Sequence, residues 1–134
     1  MTIDSSLLDS ITEQAKKSPR LRMNYDLRDS ADDKSQKMLN ALEPGTVLPI
    51  HRHPSCSEVV VLLRGKAVQF LYDEQGRQVN AIVMEAGSGT PGMVVEKGQW
   101  HRLESLQSGT VILECKEGPY VPISNDDILS IYEY

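Results

Sequence analysis

The chain has 134 residues, of which 40% are hydrophobic and 25% charged, and a formal net charge of −5. That is enough for one soluble globular domain with its own core and too little for two ordinary ones. The acidic balance excludes the basic face that nucleic acid or an anionic membrane surface requires.

No apolar run approaches the roughly 20 residues of a membrane helix. The opening "MTIDSSLLDS" lacks the basic and apolar regions of a signal peptide, so a cytoplasmic location is expected. The cysteines, Cys56 and Cys115, are then expected to be free thiols. Residues 4–17, "DSSLLDSITEQAKK", read as a helix with Leu7, Leu8, Ile11 and Ala15 on one face. Ser6 and Asp9 fit a capping box, Lys16 and Lys17 suit the helix C-terminus, and Pro19 ends it. Residues 18–36 are polar and mixed, which predicts a turn, a further short helical piece and loop.

From residue 37 the texture changes to short β-rich segments between turn residues. Strands are predicted near 37–43, 46–51, 58–64, 66–73, 78–85, 92–95, 100–106 and 109–117. Turn chemistry marks the breaks, as in "EPG", "RGK", "DEQG", "GSGTPG", "EKG" and "QSG". Many short strands without long helices between them predict a β-sandwich or barrel. The apolar run "EVVVLL" reads as a strand buried on both faces. Ser124 can cap a last helical turn in "SNDDILSIYEY", a tail that can also pack across a partner.

The chain has three histidines. His51 and His53 share "EPGTVLPIHRHPSCSEVVVLLRG", and His101 lies in "EKGQWHRLE". Residues i and i+2 of a strand point to the same side. His51 and His53 therefore project together, and Glu58 on the next strand can join them. Two imidazoles and a carboxylate form a common transition-metal ligand set, which His101 can complete. Four protein ligands on an octahedral ion leave two positions for water or substrate. A His-x-His pair alone is a frequent surface feature; the glutamate spacing and the solitary third histidine favour the metal reading.

These residues resemble the first cupin motif at each fixed position: Gly45, His51, His53, Glu58 and Gly65. Gly98 and His101 match part of the second motif, where Glu96 stands at the proline position and Ser105 at the asparagine position. "SPRLRMNYDLR", "KMLNALEPGTVLPIHRHP" and "LECKEGPYVPISNDD" are similar to the small cupin metalloproteins of the WbuC family. The resemblance implies a mainly β, double-stranded β-helix (cupin) barrel over residues 37–134, with a helical segment, residues 1–36, packed on it. It also implies one divalent transition metal (zinc, iron, manganese or nickel), a homodimer, and a context in surface-polysaccharide biosynthesis.

Arg20 and Asn24 are candidate substrate contacts, if the N-terminal segment covers the barrel mouth and the small-molecule ligand is anionic. Alternation turns Arg52 away from the histidines. Cys56 is a weaker alternative ligand, Cys115 a small buried residue, and Trp100 a packing residue on the side opposite His101. Gln69 and Tyr72 lie on opposite faces, and either can line the mouth. Tyr120 marks a rigid turn. The functional expectation is a metal-dependent enzyme, an isomerase or epimerase, a hydrolase or an oxygenase, acting on a small and sugar-derived metabolite. The alternative is a metal-dependent binding or sensor module without turnover; a third reading keeps the barrel and treats the histidines as remnants.

Overall fold

The computed structural model describes residues 1–129. Helix α1 (Ser5–Lys17) is followed by β1 (Arg22–Asp26), β2 (Ser35–Leu42), β3 (Ile50–His51), β4 (Glu58–Arg64) and β5 (Lys66–Tyr72). Then come β6 (Gln78–Glu85), β7 (Gly92–Val95), β8 (Trp100–Ser105), β9 (Thr110–Glu117), a 3-10 turn at Asn125–Asp127, and β10 (Ile128–Leu129). The strands form two five-stranded sheets, in the orders β1-β2-β9-β4-β7 and β10-β3-β8-β5-β6. All pairings within them are antiparallel.

The helix starts where sequence chemistry allows, with its cap two residues earlier than the Ser6–Asp9 box predicts. The Asp4 carboxylate accepts the Leu7 N–H at 2.9 Å and is the actual cap. Leu8, Ile11 and Ala15 bury against Leu39, Ala41 and Val111 of β2 and β9. Complete burial of one such side chain as Ile11 is worth about 2 kcal/mol. This contact lays α1 on the outer face of the first sheet, so the helix does not cover the mouth. Residues 18–36 also depart from the expectation: Arg22–Asp26 is a strand, paired with β2 from Arg22↔Leu42 to Asp26↔Met38. Its alternation of Arg22, Asn24 and Asp26 with Met23 and Tyr25 is too short to stand out from sequence. The ladder to β2 decides it.

The remaining predicted strands match closely, except that 46–51 shortens to Ile50–His51. Ser124 caps the 3-10 turn by accepting the Asp126 N–H, as expected of a last helical turn. The far end of that tail, residues 130–134, lies outside the described residues. The two sheets share an apolar layer: Leu42, Val60, Leu62 and Ile112 from one, Ala67, Met84 and Leu103 from the other. They face each other without closing into the expected barrel, because no ladder among the described residues joins the edge strands of one sheet to those of the other. Strand β4 is likewise not buried on both faces. Val60 and Leu62 point into the core, while Val59 is 40% exposed, since α1 covers β2 and β9 but stops short of β4.

Candidate metal centre

Three elements bring the four residues together. His51 closes β3 and pairs directly with His101 of β8. Glu58 opens β4, and the loop between β3 and β4 carries His53. The turn before β8 is joined to that loop by the Gly98 N–H, which donates to the His53 carbonyl at 2.9 Å. Gly98 has φ +80°, and the Gln99 N–H closes the turn onto the Glu96 carbonyl at 3.1 Å. The Glu96 that replaces proline therefore still serves, because the turn uses its backbone oxygen.

One ligating atom from each of His51, His53, Glu58 and His101 falls within 4.8 Å of the others. That span is about twice a metal–nitrogen or metal–oxygen bond of roughly 2.0–2.2 Å, as required for donors around one ion. The ring centroids of His51 and His101 are 4.2 Å apart, and His53 Nε2 lies 2.9 Å from Glu58 Oε2. Backbone carbonyls set the tautomers. His51 Nδ1 donates to Pro49 O at 3.0 Å and His101 Nδ1 to Gln99 O at 2.8 Å. A carbonyl can only accept, so Nδ1 carries the proton and Nε2 keeps a free lone pair, the arrangement that orients metal-binding imidazoles. The buried Nε2 atoms of His53 and His101 have no hydrogen-bond partner in suitable geometry. Buried polar atoms left this way are costly, and a divalent ion at the centre of the cluster would satisfy them. The donor set fits such an ion.

The electrostatics agree. Burial, reinforced by the neighbouring His101, pushes the His51 imidazole down from 6.5 to about 3 and keeps it neutral. Burial alone would favour a protonated Glu58. The adjacent His101 and His53 imidazoles and the nearby Lys116 ammonium outweigh it and hold the carboxyl far below the usual range. The site thus presents a neutral His51 imidazole and a charged carboxylate, forms that bind metal.

Two further interior residues escape sequence reasoning. Glu114 and Lys116 follow each other on the inner face of β9, where the register sets Lys116 beside Glu58 and Glu114 beside Val60. Burial and the Glu58 charge raise the Glu114 carboxyl from 4.5 to about 7, against smaller opposing effects of Lys116 and a hydrogen bond with Asn40. Glu114 keeps some accessible surface as a residue, but protein closely surrounds its carboxyl. The side-chain oxygens of Asn40 and Gln69 are buried and unpartnered. The only sequence signal was period-2 alternation, which assigns a face but not a neighbour.

Arg20 and Asn24 are both exposed and are not brought to the cluster. Arg20 borders a separate shallow hollow with Leu21, Arg22 and Gly45. The register sets Arg22 opposite Leu42, and Leu42 opposite Thr110, at the far end of β9 from Lys116. Six residues of strand separate those levels by about 20 Å. Arg52 does turn away from the histidines: its guanidinium lies 4.6 Å from the Trp100 ring centroid and its Nε 2.8 Å from Asp127. Trp100 packs with Ile50 and Tyr72 on that outer side, whereas Gln69 is buried. Cys115 is only half-buried, and Cys56 lies beside His53 without joining the donor group. Tyr120 is 59% exposed, in the segment after β9.

Solved structures with the same architecture are cupin-fold proteins. An oxalate oxidase in complex with the substrate analogue glycolate aligns with a TM-score of 0.64 at 16% identity, over 81% of this chain and 57% of that one. The capsular polysaccharide assembling protein CapF from Staphylococcus aureus aligns at 0.65 and 15%, over 84% and 32%. A structure concerned with the Mn(II) centres of Bacillus subtilis oxalate decarboxylase aligns at 0.58 and 18%, over 82% and 28%. At these identities the likeness is one of fold, and the chain spans between about a quarter and three fifths of these proteins. No curated protein matches the sequence. A family profile matches residues 3–84, a span that holds His51, His53 and Glu58 and ends before His101. The chain, a cupin fold with a four-residue donor cluster, belongs to the family described as "Domain of unknown function (DUF6016)".

Proposed function

We propose that this protein is a metal-dependent cupin of the small WbuC-like type, with one divalent zinc, iron, manganese or nickel ion held by His51, His53, Glu58 and His101. The observation that carries the reading is the pair of Nδ1–carbonyl bonds, which leave the Nε2 atoms of His51 and His101 free as donors in the cluster that includes Glu58. A bound divalent ion would supply Lewis-acid charge to a carbonyl, carboxylate or hydroxyl. The chain's own residues do the rest. Lys116 draws an anionic small molecule toward Glu58, and Glu114 holds a proton near neutral pH on the same inner face. A proton held beside a binding site supports turnover as an isomerase or epimerase, hydrolase or oxygenase. A metal-dependent binding or sensor module would need the donor set but not Glu114. A place in surface-polysaccharide biosynthesis is supported by the resemblance in sequence and by the fold shared with CapF.

Elemental analysis of the purified protein is the direct test. We expect about one divalent ion per chain, and a loss of about tenfold or more in affinity for it on His53→Ala, with the β-rich circular dichroism spectrum retained. An unchanged metal content in that variant would overturn the assignment.

A further inference from the structure

A cavity of about 380 Å³ opens beside His53. Its roof is the strap between β9 and the 3-10 turn, residues 118–124. That strap is tied down at both ends. At the start the Gly118 N–H donates to Lys34 O at 2.6 Å, and the Gln36 amide donates to Gly118 O and Pro119 O at 3.3 and 3.4 Å. At the end Asp127 receives Arg52 Nε at 2.8 Å and the Arg52 N–H at 3.0 Å, and Ile128 pairs with His51. Prolines at 119 and 122 stiffen the stretch between. The chain therefore runs between two anchored ends, and its residues line the cavity.

The lining is divided. Pro54, Pro119, Tyr120, Val121, Pro122 and Ile123 form an apolar wall, whose Tyr120, Val121 and Ile123 are 59%, 70% and 39% exposed. The rest of the lining is polar: His53, the cations Lys116 and Arg52, the acids Glu117 and Asp127, and Gln36, Ser55 and Ser124. Arg52 is committed to Asp127 and approaches Glu74 at 4.0 Å. Lys116 Nζ is 4.0 Å from Glu58, beyond hydrogen-bond reach, so its N–H donors remain available to an incoming anion. A sugar carries a hydroxyl on nearly every carbon and needs polar partners around its whole body. The side chains of this wall, Tyr120 aside, supply none.

We infer that the cavity takes a small monocarboxylic acid with an apolar body, its carboxylate at Lys116 beside His53 and its carbon skeleton under the Pro119–Ile123 strap. The inference rests on the proposed metal centre for the placement of the reacting end, and it replaces a sugar body by an apolar one. A charge-assisted bond at one end and apolar burial along the rest select for both features together.

Isothermal titration of the full chain, metal-free and metal-loaded, with hexanoate, acetate, hexanamide and glucose 1-phosphate tests it. Hexanoate should bind at least tenfold more tightly than acetate, which lacks the body, and than hexanamide, which lacks the charge. Lys116→Met should weaken hexanoate about tenfold and leave hexanamide unchanged. The double change Val121→Ser, Ile123→Ser should weaken both, and because these side chains are exposed it leaves the fold intact. Tighter binding of glucose 1-phosphate than of hexanoate, or hexanoate affinity indifferent to Lys116→Met, overturns the inference. Metal content measured on the same samples separates the two readings. Hexanoate binding in a protein that takes up no metal removes the metal centre alone; metal uptake without hexanoate binding removes this inference alone.

Discussion

Glu114 carries an unusually basic carboxyl in the interior. Its carboxyl is raised to about 7 when folded, against 4.5 in an unfolded chain. Between those values the folded protein holds a proton that the unfolded chain has released. The unfolded state then binds fewer protons, so this group lowers stability as pH rises from about 4.5 to 7. His51 acts with the opposite sign. Its folded value of about 3 lies below 6.5, so its contribution is complete above pH 6.5 and is lost as pH falls through that window. The difference between wild type and Glu114→Gln isolates the carboxyl. Urea unfolding of the metal-free protein at pH 5 and pH 7.5 should show the variant gaining relative stability at the higher pH; parallel shifts at both pH values would contradict the raised carboxyl. The sequence marked His51, His53, Glu58 and His101 as metal ligands by spacing. It did not mark Glu114, because an acid in a strand carries no sign that β4 will set another carboxylate next to it.

At the scale of elements, the corner between β4 and β5 is the most constrained. Gly65 has φ +82°, and a Cβ there would run into the Thr110 side chain and backbone. Both sheets meet at this point, since the Lys66 N–H is shared with Thr110 Oγ1 at 3.2 Å. Gly65→Ala should cost about 2 kcal/mol or more, read as a lowered midpoint of chemical unfolding. Asp4→Ala should cost about 1 kcal/mol by removing the cap of α1, without change in metal uptake, because the helix sits on the outer face. A loss of metal in Asp4→Ala would mean that α1 positions the centre after all. The helix and most strands were legible from periodicity and turn residues. Strand β1 was not, because its five residues acquire their state from the ladder to β2.

At the scale of the whole molecule, the outer face of the first sheet is only part covered. Helix α1 shields β2 and β9, while Val59 of β4 and Val94 of β7 are register partners exposed at 40% and 49%. Strand β7 is also a sheet edge. Exposed apolar strips and open edges are usually closed by a second copy of the chain. We therefore expect a homodimer through this face, with a mass by light scattering twice the 14.9 kDa of the chain. Val59→Asp should shift it to the monomer with the metal content unchanged. A wild-type monomer at micromolar concentration would remove the expectation.

The sequence by itself determined the mainly β class and the helix ahead of it, and it singled out the four residues that the fold clusters. These follow from local rules: hydrophobic period, turn chemistry, and the i, i+2 spacing that sends two imidazoles to one side. Tertiary structure alone decided which acid and which lysine stand beside Glu58, that α1 lies behind the sheet and not over the mouth, and that the 118–124 strap roofs the cavity. It also left Arg20 and Asn24 exposed and away from the cluster, where sequence had offered them as substrate contacts only if their segment covered the mouth. Each of these depends on contacts between segments tens of residues apart, such as Glu58 with Lys116 and Arg52 with Asp127. The pattern along one strand states which way a side chain points, and only the packing of another strand against it states what it meets.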